Sequence, residues 1–376
     1  MAIRIAPTLA EMATYPFVRL EEARRALVAQ GRAVIDFGKG DPNEPTDPII
    51  RKALIDAVPE RAPYPLAAGL PELRAAAAGW CARRFGVELD PDSELIPTYG
   101  SKEAIFSLAQ VLVDPRSPKN VVVYGEPAYP VYERGALFAG ARVRTLPLLR
   151  ENRFLPDLSS LGDDIAIVWV NYPHNPTGAL APPSFYEQLA ELAARHDFVI
   201  ASDEAYSELW FDAPPVSALQ VADRSRVIVF QTLSKRSSMT GYRSGFVAAP
   251  PEVISALKSY RPTVGTAPQE FVQRASVVAW NDERHVAETR DRYRAKREVL
   301  IPVLERKGWE VVASDATMYL WVAVPDESAL TEQLLERGVL ISPGTYFGPS
   351  GAGYVRFALV PTLEECERAA AILEEL

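Results

Sequence analysis

A chain of 376 residues, 48% hydrophobic and 24% charged, has the balance of an ordinary globular protein and is long enough for two domains with substantial cores. Its net charge of −9, with no long basic run and no interleaving of aromatic and basic residues, argues against nucleic acid as the main partner. Two cysteines, Cys81 and Cys366, and three histidines, His174, His196 and His285, give neither a disulfide framework nor a metal-ligand spacing, so no metal is expected.

The opening residues lack the basic segment and apolar core of a secretory signal, because Pro7, Glu11 and Pro16 interrupt them. No apolar run approaches the roughly 20 residues of a membrane span, and a cytoplasmic protein without membrane contact is expected. From about Asp47 to Trp280 helical and strand patterns alternate, with buried-looking strands predicted at residues 121–124, 143–146, 165–170, 198–201, 227–230 and 246–249. Short, uniformly apolar strands separated by helix-length segments imply an α/β fold whose mostly parallel sheet is covered on both faces. The stretch from Arg261 to Gln269 reads as a loop near the site. A charged helical stretch follows from 281 to about 307, then strands at 309–312 and 318–324, a helix at 328–337 and a strand at 354–359. This division predicts a large domain over 45–280 and a smaller α+β domain built from 1–44 plus 281–376. Both cysteines fall in helical patterns as small core residues, and His196, His285, Asp163-Asp164 and Glu21-Glu22 read as solvated surface.

Three predicted strands end in chemically loaded loops: Asn171-Tyr172-Pro173-His174-Asn175-Pro176-Thr177-Gly178, Ser202-Asp203-Glu204-Ala205-Tyr206, and the run from Thr232 to Arg243 that contains Lys235. In open α/β sheets ligands sit at the carboxyl ends of strands, so these loops are expected to converge. A lysine amine must lose its proton to condense with an aldehyde, and desolvation with a nearby cation such as Arg243 lowers its pKa from about 10.4. Thr98-Tyr99-Gly100-Ser101-Lys102-Glu103 precedes an amphipathic helix with Ile105, Leu108 and Leu112 at helical spacing. Its free N–H groups at Ser101 and Lys102 suit an anion, although alone the segment reads as an ordinary helix cap and it lacks the spacing of a nucleotide-binding P-loop. Arg356 shares one strand face with Tyr354 and Ala358, where it either captures a carboxylate with its planar fork or faces solvent.

From Phe37-Gly38-Lys39-Gly40-Asp41-Pro42 to Tyr354-Val355-Arg356-Phe357, and through Tyr64-Pro65-Leu66-Ala67-Ala68-Gly69-Leu70-Pro71-Glu72-Leu73-Arg74, the Asn-Pro-Thr-Gly loop and the lysine segment, the chain resembles the class I/II, fold type I aminotransferases. The resemblance implies pyridoxal 5'-phosphate carried on Lys235, which also serves as general base and acid at the substrate Cα. It implies Gly100, Ser101, Lys102, Thr232, Ser234 and Arg243 around the phosphate, with Lys102 where many relatives carry a small polar residue. Tyr129 would stack on the pyridine ring, Asp203 would pair with its nitrogen, and Asn175 and Tyr206 would bond its phenolic oxygen. Arg356, helped by the Gly40 backbone and Asn175, would bind the substrate α-carboxylate. Tyr64 would reach the phosphate of a neighbouring subunit, so a homodimer with shared sites is implied.

Segments such as Tyr15-Pro16-Phe17-Val18-Arg19-Leu20 and Gly125-Glu126-Pro127-Ala128-Tyr129-Pro130-Val131-Tyr132 are similar to succinyldiaminopimelate aminotransferases of bacterial lysine synthesis, which implies glutamate as amino donor. Arg19 or Arg261 is a candidate for the second carboxylate of such a substrate, against a surface salt bridge for either. Alternatives are another amino-acid aminotransferase, for example one acting on aspartate, and a carbon–sulfur β-lyase using the same cofactor residues. A ligand-sensing regulator would need a DNA-binding segment, and the chain offers no basic helix-turn-helix candidate.

Overall fold

The computed structural model describes residues 3–10 and 16–376; Tyr15 and the side chains of residues 16, 17 and 19, Arg19 among them, lie outside the described residues. A seven-stranded sheet runs in the order Leu95–Thr98, Gly245–Ala248, Val227–Thr232, Val199–Asp203, Ile165–Val170, Val121–Glu126, Arg142–Pro147. Gly245–Ala248 is antiparallel to both of its neighbours, and the other pairings are parallel. Alternation along each strand divides the side chains between two cores. Val121, Val123, Val168, Val227 and Val229 enter one, while Val122, Tyr124, Ile167, Trp169, Ile228 and Phe230 enter the other. This two-sided burial is why the strands read as unbroken apolar runs instead of alternating ones.

Two strands differ from expectation. Leu95–Thr98 was not foreseen, because Pro97 interrupts a short run; its sheet position has one neighbour, Gly245–Ala248, so the missing proline N–H is tolerated there. Arg142–Pro147, expected as a buried strand over 143–146, lies at the opposite edge, with Leu146 as its one buried residue and the others half-buried or exposed. Pairing on one side leaves such a strand half in water.

Next to the sheet, Trp80 on the helix Pro71–Phe85 gathers Phe85, Phe246 and Trp280, with ring centroids 5.3, 6.0 and 4.7 Å away. Arg236 is buried over the Trp280 ring at 5.1 Å and donates to the Ala279 carbonyl at 2.5 Å and to Glu283 at 2.9 Å. The residue after Lys235 is therefore tied to the helix Glu270–Asn281. His285 is buried between Asp282 at 2.6 Å and Ser237 at 2.8 Å, which corrects the expectation of a solvated face. The helix Arg284–Arg306 carries it inward beside the lysine loop, and its charged sequence masked that inner face. Cys81 and Cys366 are buried.

A second, antiparallel sheet has four strands ordered Ser342–Pro343, Tyr354–Ala358, Tyr319–Ala323, Glu310–Val311. Tyr293, Leu300, Val303 and Leu304 of Arg284–Arg306 cover it, together with Cys366, Ala369 and Leu373 of Leu363–Glu374. The N-terminal segment joins this unit through Ile35–Asp36, which pairs in parallel with Val339–Leu340. Phe37 packs edge-on against Phe357 at 5.6 Å. Buried Lys296 pairs with Glu44 at 2.8 Å and so holds the following turn of the N-terminal segment to the long helix. Among the described residues no helix is long and apolar enough to cross a membrane.

Trp80 is the hub of the aromatic group, so Trp80→Ala should cost about 3–5 kcal/mol through lost contacts and the void left behind. A urea unfolding midpoint indistinguishable from that of the native chain would refute this.

Candidate active site

A cavity of about 310 Å³ opens where the parallel strands end, and Lys235, Asp203, Asn175, Arg243 and Arg356 all line it. Strand order explains their meeting. Val227–Thr232, Val199–Asp203 and Ile165–Val170 are consecutive neighbours and their chains continue into Lys235, Asp203 and the Asn171–Asn175 turn at the same sheet end. Arg356 arrives from the second sheet, on Tyr354–Ala358.

One part of the wall is built for an anion. Gly100 precedes the helix Ser101–Leu112 with φ 74°, and a Cβ there would lie 2.4 Å from Nη2 of Arg243. Only glycine admits both the backbone conformation and the guanidinium. Arg243 donates to Thr240 O at 2.8 Å and Tyr99 O at 3.2 Å, which fixes its fork beside the helix start. The hydroxyl of Thr232 accepts from the Ser234 N–H at 3.2 Å and lies 3.0 Å from Ser234 Oγ. Lys102 has its ammonium pKa lowered, first by loss of water and then by Arg243 and Arg134, as expected of a cation crowded by cations. Such a cluster with a positive helix end suits a phosphate.

Asp203 is buried and accepts from the Tyr132 hydroxyl at 2.7 Å and from the Ala205 N–H at 3.3 Å. Burial raises its pKa to about 6, and these two hydrogen bonds oppose the rise. Tyr132 is itself stacked on Trp169, with centroids 4.9 Å apart, so its hydroxyl is fixed. Asn171 donates to the Asp203 carbonyl at 2.7 Å and accepts from the Asn175 N–H at 2.9 Å, which locks two of the loops together. Tyr129 is half-buried on the cavity wall, with the Lys102 ammonium 5.8 Å from its ring centre.

Lys235 is bonded through Nζ to the Gly40 carbonyl. Burial lowers the pKa of its amine to about 8; Asp41 pulls it back upward, and Arg356 and Arg243 lower it further. Desolvation thus exceeds the effect of Arg243, which the sequence had brought forward. Arg356 is 1% exposed, donates to Asn175 Oδ1 and to the Gly38 carbonyl at 2.9 Å each, and lies 4.2 Å from the Tyr319 ring centre. Tyr206 meets Tyr319 hydroxyl to hydroxyl at 2.8 Å. A Cβ on Gly40 would be 2.1 Å from the Tyr319 hydroxyl, so glycine is required for this close approach.

Of the residues named from the sequence, Gly40, Ser101, Lys102, Tyr129, Asn175, Asp203, Tyr206, Thr232, Ser234, Lys235, Arg243 and Arg356 line the cavity, and Gly100 stands behind Arg243. Tyr64 does not: it is 101% exposed and belongs to no part of this wall. Arg261 is excluded as a substrate contact, because it is buried in the helix Pro251–Thr263, ion-paired with Glu103 at 2.9 Å and bonded to the Pro97 carbonyl. The loop expected from Arg261 to Gln269 begins later, because the helix continues past Pro262 to Thr263; residues 264–269 are loop. Sequence reasoning missed Tyr132, Tyr319 and Asn171. Tyr132 and Asn171 stand in segments already singled out, but an aromatic or an amide carries no signal of which strand end it will face.

The residues fit pyridoxal phosphate. Asp203 is a buried carboxylate without an ion-pair partner among the described residues, a place for a protonated ring nitrogen; the cation cluster suits the phosphate, and a lysine of pKa about 8 lies in the same cavity.

The family model described as aminotransferase class I and II matches residues 32–373. An LL-diaminopimelate aminotransferase of Aquifex aeolicus is 41% identical over 373 residues, covering 94% of this chain and 95% of its own length. One from Dehalococcoides mccartyi is 37% identical over 384 residues, covering 99% and 98%. Among solved structures, an aminotransferase from Neisseria meningitidis superposes with TM-score 0.91 at 35% identity, covering 99% of both chains. The aspartate aminotransferase of Thermus thermophilus with maleate has TM-score 0.91 at 30% identity and covers 100% of both.

Because Gly100 combines positive φ with contact to Arg243, Gly100→Ala should displace the guanidinium and weaken pyridoxal phosphate binding about tenfold or more. A titration of apoprotein with the cofactor, followed by fluorescence, checks this; unchanged affinity would show that Arg243 takes no part in holding the phosphate.

Proposed function

Since the chain belongs to the class I and II aminotransferases, which use pyridoxal phosphate, we propose that this transaminase exchanges the amino group of LL-diaminopimelate with a 2-oxo acid, glutamate and 2-oxoglutarate forming the partner pair. The observation that carries the reading is Arg356: a buried fork, held by Asn175 and Gly38, in one cavity with Lys235 and Asp203. Pyridoxal phosphate, when bound, supplies an aldehyde that takes up the amino group and a ring that draws electrons from the substrate Cα. Ser101, Lys102, Thr232, Ser234 and Arg243 would hold its phosphate. Asp203, ionised with the Tyr132 hydroxyl favouring that state, would pair with the ring nitrogen. Arg356 takes the substrate α-carboxylate in two parallel hydrogen bonds, which orients Cα. Lys235, already short of water and flanked by cations, takes the Cα proton as general base and returns one as general acid.

Substrate choice rests on the relatives. Those from Aquifex aeolicus and Dehalococcoides mccartyi are named for LL-diaminopimelate, without a succinyl group, so the free diamino diacid replaces the succinylated precursor expected from the sequence. The Thermus thermophilus neighbour holds maleate, a dicarboxylate, in agreement with a two-carboxylate ligand. A role in diaminopimelate and lysine synthesis follows from that substrate. The fully exposed Tyr64 supports a homodimer in which each copy completes the other's phosphate site.

Two tests follow. Cofactor-loaded protein is given LL-diaminopimelate or L-glutamate alone, and the change in cofactor absorbance is read together with the 2-oxo acid released. Both amino acids should react; inertness toward LL-diaminopimelate alone would remove it as substrate, and inertness toward both would remove the donor pair. The second concerns pH. The neutral amine of Lys235 predominates only above pH about 8, so the rate at which apoprotein captures the cofactor covalently should rise with pH and level off above that value. A rate still climbing toward pH 10 would mean that burial has not lowered the lysine pKa.

A further inference from the structure

Beyond the machinery for the amino group, the cavity wall carries a cation with no assigned task. Among the described residues, the lysines and arginines lining the cavity are Lys39, Lys102, Lys235, Arg243 and Arg356. Lys102 and Arg243 belong to the phosphate region, Arg356 to the α-carboxylate, and Lys235 to Cα. We infer that Lys39 selects substrates carrying a second carboxylate, its ammonium meeting that distal group while Glu21 holds the lysine at the cavity wall. The inference rests on the reading that the substrate has two carboxylates.

Position is the first argument. The Gly38 carbonyl accepts from Arg356 at 2.9 Å and from Ser342 Oγ at 2.7 Å, and the Gly40 carbonyl accepts from Lys235. Residue 39 is thus clamped on both sides by the groups assigned to the α-carboxylate and to Cα. A substrate anchored at those two points would have Lys39 on the cavity wall beside it, between the residues that accept from Arg356 and from Lys235.

Charge is the second. Among the described residues the Lys39 ammonium is bonded to Glu21 on the helix Pro16–Ala29. An ammonium has three donors, so this leaves capacity for a ligand oxygen. Glu21 is shared with Arg24 at 3.4 Å and Arg25 at 2.9 Å, so one carboxylate faces three cations; with Asp36, which also acts on Arg24, the group still keeps more cations than carboxylates. Those three cations, Lys39 first, hold the Glu21 pKa down to about 2, and it does not lose its charge near neutrality. The sequence reading placed Glu21 on a solvated helix surface; the fold turns it toward the N-terminal segment that crosses the site. The recognised chemistry is a carboxylate several bonds from Cα, common to glutamate and LL-diaminopimelate and absent from L-norvaline.

The experiment compares native protein with Lys39→Met, Lys39→Arg and Glu21→Gln. Half-reaction kcat/KM is measured for L-glutamate and L-norvaline, and binding of glutarate and pentanoate to the cofactor-loaded protein is measured by calorimetry. Lys39→Met should lower the preference for glutamate over norvaline, and for glutarate over pentanoate, about tenfold or more, the scale of a lost charged hydrogen bond. Lys39→Arg should restore most of it. Glu21→Gln should tighten glutarate, because the amide oxygen still accepts from Lys39 and holds it in place while the competing charge is gone, whereas an ion pair that only braces the fold would make both variants bind glutarate more weakly. Equal losses on glutamate and norvaline, or a native protein indifferent to the second carboxylate, would overturn the assignment. If LL-diaminopimelate fails to react while the preference for glutarate persists and depends on Lys39, the substrate reading falls and the role of Lys39 stands.

Discussion

The hydrogen bonds accepted by the backbone carbonyls of Gly38 and Gly40 are the constraint on which the site depends. One carbonyl holds the Arg356 fork and the other holds the Lys235 amine, so a single short segment sets the spacing between the two groups proposed as carboxylate anchor and base. That segment enters from the Ile35–Asp36 ladder and is pressed against the Tyr319 hydroxyl, which only a glycine at position 40 permits. Three parts of the chain remote in sequence are thereby positioned together: the N-terminal segment, the loop after Val227–Thr232, and the second sheet. Each is anchored elsewhere by packing, through Phe37 on Phe357, Arg236 on Trp280, and Tyr319 on Tyr206.

Desolvation is the second unifying influence. Asp203 and Lys235 are both withdrawn from water, and each is pushed toward its neutral form, the acid to about 6 and the amine to about 8. The two shifts suit different tasks. A lysine near neutrality can exchange protons, whereas the carboxylate is ionised above pH about 6 and would be held in that state more firmly by a cationic partner such as a protonated ring nitrogen. The two guanidinium groups of the cavity are braced by neutral carbonyls and amides: Arg356 by Asn175 and Gly38, Arg243 by Thr240 and Tyr99. These neutral partners orient the guanidinium groups and do not themselves offset their charge.

Much of this was legible without coordinates because the motifs are local. The turn at Gly100, the loop containing Asn175, the strand end at Asp203 and the lysine run each keep their chemistry within a few residues, and a strand-end location implies convergence. The uniformly apolar strands likewise implied a sheet covered on both faces. What escaped were residues defined by a partner far along the chain. Tyr132 matters because its hydroxyl meets Asp203, 71 positions away, and Tyr319 because it lies on Gly40. Leu95–Thr98 escaped because a proline hides a strand that is acceptable only at a sheet edge.

Arg261 and Lys39 show where the boundary between sequence and structure falls. Both are single basic residues, and nothing in local pattern ranks one above the other as a substrate contact. The amino-acid sequence by itself determined the fold class, the class of chemistry and the short motifs whose residues line the cavity, because backbone periodicity and motif spacing are properties of neighbouring residues. The tertiary structure decided which charges are spent inside the fold and which face the cavity. Arg261 is buried against Glu103 and Pro97, whereas Lys39 lines the cavity beside Glu21. Burial and pairing depend on which distant elements pack together, and that information exists only once the chain has folded.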